Sequence, residues 1–151
     1  MRAEVVKFES DHARDIIRRN IEEGLAVGVP TVSVDDAIKA WGSSPDAYTM
    51  FIDDIPACCA GIVDIGWMRG EAWTLVSSLF YANRKVCYRA IKGYLDDAIS
   101  NCRYRRIQSV ISLDLESGDR WMRHLGFEKE GVLRCFGPQG EDVSMFSRVK
   151  G

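Results

Sequence analysis

The stretch Ala72–Cys102 constrains the fold more than any other part of the chain. It opens with Ala72-Trp73-Thr74-Leu75-Val76, a short apolar run of aromatic and β-branched residues that fits the pleated surface of a buried strand. A short polar turn follows, then the longest amphipathic pattern in the sequence. Val86, Cys87, Ala90, Ile91, Tyr94, Leu95, Ala98, Ile99 and Cys102 recur at three- and four-residue spacing, so a helix carries them on one face. Asn83 is the expected N-cap, its side-chain oxygen accepting a first-turn N–H. The end of such a strand, here Val76, and the N-terminus of the helix after it make an anion site in many α/β proteins. What the chain does turns on whether that site is intact.

Taken in order, Glu4–Phe8 reads as a strand. A helix capped by Ser10 or Asp11 then runs to about Glu23, with Ala13, Ile16, Ile17 and Ile21 on its buried side. Gly24 and Gly28 loosen the next segment. Ser33 and Asp36 form a capping-box pattern for a second helix ending near Trp41-Gly42. Three strands are expected after the turn cluster Ser43-Ser44-Pro45-Asp46: Ala47–Ile52, Ala57–Ile65 and Ala72–Val76. Asp53-Asp54 turns the chain between the first two, and Gly61 marks a bulge or a packing site. Gly66–Gly70 reads as a loop. Beyond the long helix come a strand Ile107–Leu113, a short helix over about Gly118–His124 ended by Gly126, and a closing hairpin of Gly131–Phe136 and Asp142–Val149 around Gly137-Pro138-Gln139-Gly140. This order describes an α/β fold, a mixed central sheet flanked by helices, in a single domain over residues 1–151.

Composition narrows the function classes. Hydrophobic residues are 46% of the chain and charged residues 28%, the profile of a globular protein and not a disordered one. A formal net charge of −2 gives no general attraction to nucleic acid, although Arg103, Arg105 and Arg106 form a local basic cluster. No apolar run is long enough to cross a bilayer. Met1-Arg2-Ala3-Glu4 leads straight into a strand, so no signal peptide is expected. The five cysteines show no CxxC spacing, which favours reduced core thiols in the cytosol over metal ligands or disulfides.

The segment from Arg120 to Arg134, Arg-Trp-Met-Arg-His-Leu-Gly-Phe-Glu-Lys-Glu-Gly-Val-Leu-Arg, resembles the closing motif of the GNAT acetyltransferase superfamily, where a short helix ends in Leu-Gly-Phe before a strand. The element order is similar to the GNAT acyl-CoA N-acyltransferase fold along nearly the whole chain. Phe136–Asp142 and Gly118–Trp121 are most similar to one branch, the GNAT-like proteins of tailed phages related to an internal virion protein.

The resemblance does not bring the activity with it. GNAT enzymes hold the pyrophosphate of acetyl-CoA on a turn of the form Arg/Gln-x-x-Gly-x-Gly/Ala, where small residues let backbone N–H groups reach the phosphates. The corresponding text is Asn83-Arg84-Lys85-Val86-Cys87-Tyr88-Arg89-Ala90, with Arg84, Val86 and Tyr88 where small residues would sit. Met122 matches the Tyr that can protonate the departing thiolate, and the Asn that often opens that motif falls near Leu115. Glu71 and Asp64 stand where a base could sit, but their plainer reading is exposed turn residues. Cys58 and Cys59 have no sequence relation to either histidine; His12 and His124 read as structural, and Tyr88 reads equally as a hydroxyl donor and as packing. No catalytic residue and no metal ligand is therefore assigned. Val76, Asn83, Arg84 and Lys85 are the candidate cofactor residues of a degenerate turn, with acetyl-CoA as cofactor only if the chain is an enzyme. Cations in a helix's first turn cost about 0.3–1 kcal/mol each when exposed, a cost that a bound anion would reverse; acidic partner residues or plain solvation account for Arg84 and Lys85 as well. Trp67, with Arg69, suits a partner surface, unless it caps the core edge. The resemblance thus implies a non-catalytic phage virion or assembly component in the host cytoplasm or virion, whose partners are other phage structural or assembly proteins, without nucleic acid or membrane. The alternative is an active N-acetyltransferase acting on an amine.

Overall fold

The protein is described by a computed structural model covering residues 1–25, 34–44, 46–113, 116–137 and 139–151, without the side chains of Val34 and Glu116. The elements are β1 (Ala3–Lys7), α1 (Ser10–Glu22), α2 (Val34–Gly42), β2 (Asp46–Ile52), β3 (Ile55–Gly66), β4 (Arg69–Val76), α3 (Ser78–Ala82), α4 (Arg84–Ser100), β5 (Arg106–Ser112), α5 (Glu116–His124), β6 (Glu128–Leu133) and β7 (Val143–Val149). The seven strands form one sheet in the order β1-β2-β3-β4-β5-β7-β6. β4 and β5 pair in parallel, whereas β1–β2, β2–β3, β5–β7 and β6–β7 are antiparallel. This is the mixed α/β architecture expected from the element order. The chain divides into two compact units, Met1–Val63 with Trp73–Ala90, and Asp64–Ala72 with Ile91–Gly151.

In the first unit, Ala13, Ile16, Ile17, Ile38, Cys59 and Leu75 form a buried cluster, with Phe8, Trp41 and Trp73 packed against it. Helix α1 starts one residue earlier than the Ser10 or Asp11 cap allowed. Glu9 is the N-cap in a capping box with His12, its N–H donating to His12 Nδ1 at 3.2 Å. That ring nitrogen also lies 2.8 Å from Thr49 Oγ1, which gives His12 a structural task. Ile21 is not on the buried side; it is 60% exposed, and Asn20 is buried instead. The Asn20 amide donates to Val76 O at 2.9 Å, so a polar contact, invisible to hydrophobic periodicity, sets the helix's rotation. The Ser33 cap, like Gly28, lies outside the described residues.

Gly61 is a packing site and not a bulge. A Cβ there would lie 2.8 Å from the Trp73 indole, and the register shift of this pair falls at Met50/Phe51. Trp73 stacks on Trp41 at 5.1 Å, meets Phe8 edge-on at 5.5 Å and donates its Nε1–H to Ser44 Oγ at 2.9 Å. The indole is held on three sides and needs the glycine on the fourth.

In the second unit, Leu95, Ala98, Tyr104, Ile107, Met122, Leu125, Phe127, Val143 and Phe146 are buried. The apolar face expected of the long helix is correct through Ile99. Cys102 does not belong to it: the residue is exposed, lies beyond the helix end and has φ +57°. Gly126 has φ +90°, as the Leu-Gly-Phe ending requires, and Phe127 N–H donates back to Met122 O at 3.0 Å. The segment Gly66–Gly70 is not an open loop. β3 runs to Gly66 and β4 begins at Arg69, because Arg69–Glu71 pair with Arg106–Gln108, leaving Trp67-Met68 as a two-residue turn. β6 begins at Glu128, earlier than the expected Gly131, which sits at a register shift against β7. It ends at Leu133, so Phe136 lies outside it and is exposed; Pro138 of the following turn lies outside the described residues.

Candidate functional site

The link from β4 to α4 is built around Ser77. Its hydroxyl donates to Ala57 O at 2.7 Å, and its own N–H donates to the same carbonyl at 3.0 Å. Its oxygen accepts the Leu79 N–H at 3.3 Å, capping α3. The sequence predicts only a polar turn here, because this five-residue helix is too short to show a period. The available signal was Ser77 followed by an apolar pair at Leu79-Phe80.

Asn83 has the reverse of its expected role. Its side-chain amide donates back to Leu79 O at 2.9 Å, and its N–H meets Leu79 O and Phe80 O at 3.1 Å each. It closes α3; only its carbonyl serves α4, accepting from Cys87 N–H at 3.2 Å. Val76 is buried at the end of β4 with its carbonyl on Asn20, so it presents no side chain to a ligand. Because α4 is wound from Arg84 onward, helix geometry leaves the N–H groups of Arg84, Lys85 and Val86 without an intrahelical acceptor. Those three amides carry two exposed cations and a half-buried β-branched side chain. Arg84 and Lys85 make no ion pair among the described residues.

The carboxylate of Asp64 accepts the Gly66 N–H at 2.8 Å, a turn contact. Glu71 lies within β4 opposite Gln108. Met122 is buried. Cys58 and Cys59 are buried. The Cys58 thiol is pushed up by its contact with Cys87 and by burial, and burial raises Cys59 to about 12. Neither is a thiolate at neutral pH. Among the described residues no group of His, Cys, Asp and Glu is arranged to hold a metal ion, and no helix is long and apolar enough to cross a membrane.

The second unit carries two further features. Trp67 is 79% exposed and Met68 46%, so Trp67 does not cap the core edge. The Arg69 guanidinium lies 5.0 Å from the Trp67 ring centroid. Arg69 also donates from Nε to Gly66 O at 3.2 Å and from a terminal nitrogen to Ile65 O at 3.3 Å. Arg105 holds the turn from the other side, its guanidinium on Trp67 O at 2.9 Å and its N–H on Met68 O at 2.7 Å. The other feature, which the sequence did not disclose, is a recess of about 300 Å³ lined by Ile111, Ser112, Leu113, Asp119, Lys129, Ser144 and Phe146. Its carboxylate, Asp119, is engaged by Arg123 at 2.8 Å.

No protein-family model matches the chain, and no curated protein matches it. Solved structures do. The ribosomal-protein-S5-alanine acetyltransferase from Vibrio fischeri is similar over 99% of this chain and 94% of its own, with a TM-score of 0.74 at 15% identity. A GNAT-family acetyltransferase from Streptococcus pneumoniae is similar over 98% of this chain and 99% of its own, at 0.73 and 13%. RimL, a ribosomal L7/L12 alpha-N-protein acetyltransferase in complex with coenzyme A, is similar over 97% and 93%, at 0.75 and 14%. Such likeness at such low identity establishes the fold.

Proposed function

We propose that this GNAT-fold chain does not transfer acetyl groups and serves as a virion or virion-assembly component of a tailed phage, acting through protein contacts. The observation that carries the non-catalytic reading is the link between β4 and α4. A pyrophosphate must approach several backbone N–H groups to within about 3 Å to gain their charge-assisted bonds. Here Ser77, Leu79, Phe80 and Asn83 already use theirs within the protein. The amides left at the start of α4 lie on Arg84, Lys85 and Val86, so the cradle of small residues that a CoA pyrophosphate fits is lacking. Met122 adds that no proton donor stands at the closing-motif position. The phage assignment rests on the resemblance of Gly118–Trp121 and Phe136–Asp142.

One observation favours the enzyme alternative. Arg84 and Lys85 are exposed at the positive end of a helix, where a bound anion would relieve their unfavourable placement; their side chains would then hold phosphates that the backbone cannot. Calorimetry with CoA at low ionic strength separates the readings. The expected result is no saturable heat at millimolar CoA. Micromolar binding that disappears in Arg84→Ala/Lys85→Ala and weakens with salt would establish the acetyl-CoA site and overturn the proposal.

A further inference from the structure

The Trp67-Met68 turn combines three properties that its structural task does not require. Both residues sit at positive φ, 55° and 57°, a region that suits Asn, Asp and Gly and strains bulky side chains. Both side chains are exposed, so burial does not compensate the strain. And the turn is fixed in place: Arg69 and Arg105 reach the carbonyls of Ile65, Gly66, Trp67 and Met68, while Asp64 holds the Gly66 N–H. A turn needed only to reverse the chain would carry small polar residues and no such bracing.

The charges around the turn are mostly positive, with the carboxylate of Asp64 beside them on the Gly66 N–H. Arg69 and Arg105 bond to backbone carbonyls and to no carboxylate among the described residues. Lys150 is similar, its ammonium directed at Ile99 O, Ser100 O and Cys102 Sγ, and its N–H bonded to Arg105 O at 2.9 Å. Arg69 and Arg105 are therefore ordered but not neutralised, whereas Arg106, whose N–H also reaches Met68 O at 3.4 Å, is paired with Glu130. Each guanidinium keeps further N–H donors, in the planar fork that matches a carboxylate.

We infer that the Trp67-Met68 turn is a preorganised docking tip for an acidic protein segment, one that receives the Trp67 ring in an apolar socket and presents Asp or Glu side chains to Arg69 and Arg105. Trp and Arg are the residue types that dominate binding energy at protein interfaces, and a rigid tip avoids the ordering cost that a mobile one carries. A protein partner fits better than single-stranded nucleic acid. A strand of nucleic acid needs a charged track with successive stacking surfaces, whereas one face of the single exposed indole is already covered by Arg69. The inference names the chemistry of the partner for the proposed binding role and rests on that role.

The test is selection from a random peptide library on the immobilised full chain, with counter-selection on Trp67→Asn. The expected peptides carry an aliphatic or aromatic residue flanked by Asp and Glu. A synthetic copy of the leading peptide should bind at least about tenfold more weakly to Trp67→Asn and to Arg69→Gln/Arg105→Gln, and more weakly to the parent chain as salt rises. Trp67→Asn should melt at a temperature equal to or above that of the parent, because Asn tolerates positive φ. Loss of binding with retained or raised stability distinguishes a docking residue from a structural one. No enriched peptide, peptides without acidic bias, or peptides indifferent to Trp67→Asn would overturn the inference, as would Trp67-dependent binding of oligothymidylate in their place. CoA calorimetry on the same samples keeps the two questions apart. Peptide binding alongside CoA binding would refute the non-catalytic role and leave the docking tip; neither binding would do the reverse.

Discussion

The turn before β3, Asp53-Asp54, and the turn after it, Trp67-Met68, both place two consecutive residues at positive φ: 47° and 66° in the first, 55° and 57° in the second. Such pairs make the tight hairpins whose twist suits the flanking strands. The first turn uses residues matched to that backbone. Asp tolerates the left-handed region, Asp53 Oδ1 accepts the Arg2 N–H at 2.7 Å, and Asp54 lies 3.8 Å from the Arg2 guanidinium. The second turn achieves the same conformation with two side chains poorly suited to it and braces them with arginines. The first turn meets the backbone requirement with residues suited to it, Arg2 adding a contact, and the second meets it with unsuited side chains held by two arginines; the side chains of both turns are exposed.

The largest expected effect comes from the strand that both turns bound. Gly61→Ala would put a methyl group into the Trp73 indole, which cannot retreat because Trp41, Phe8 and Ser44 hold it. Overpacking of this kind costs about 1–3 kcal/mol, and urea titration should place Gly61→Ala in or above that range. A loss below about 0.5 kcal/mol would mean that the indole is not held as described. The comparison itself is sharpened by making both turns Asn-Gly. Relief of left-handed strain should stabilise Trp67→Asn/Met68→Gly by about 1–2 kcal/mol, whereas Asp53→Asn/Asp54→Gly should gain less or lose slightly, since its contacts with Arg2 are altered. Equal gains at the two turns would remove the distinction.

The smallest effect concerns pH. Glu130 is held down to about 2 by hydrogen bonds from Arg106 and Ser147, with Arg106 terminal nitrogens 2.6 and 2.8 Å from its two oxygens. Its folded value lies below the unfolded value of about 4.3. The pair's stabilisation is therefore present above that value and is lost as pH falls toward 2. The carboxylate is largely exposed, so the contribution is reduced by solvent screening. Arg106 follows Arg105, which braces the second turn. Hydrogen exchange between pH 5 and pH 3, corrected for intrinsic rates, should show protection falling first around Arg105–Arg106. Unchanged protection there would argue that the pair is not coupled to the turn.

These contrasts also mark what the sequence could disclose. The Val86–Ile99 face, the closing Leu-Gly-Phe and the Asp53-Asp54 turn were legible because each follows from local pattern: a helical period, a left-handed glycine, a turn-forming pair. Trp67-Met68 reads as part of a loop because it contains no turn-forming residue; pairing of Arg69–Glu71 with β5 and support from Arg105 create the turn, and both come from distant chain. Helix α3 has no periodic signature because one side chain, Ser77, anchors it to Ala57. Asn83 reads as a helix-end residue and is one, but it ends α3 instead of starting α4, since an Asn between two helices can serve either. The exposure of Arg84, Lys85 and Trp67 is as their chemistry suggested. The burial of Asn20 in the place expected for Ile21 has no periodic signature.

The thiols have a practical consequence. Cys58, Cys59 and Cys87 are buried and all belong to the first unit, whereas Cys102 and Cys135 are exposed and belong to the second. A maleimide applied briefly to the native chain meets only the latter pair. Each adduct beyond them records an opening of the first unit, and the mass of the labelled protein counts such events without any engineered probe.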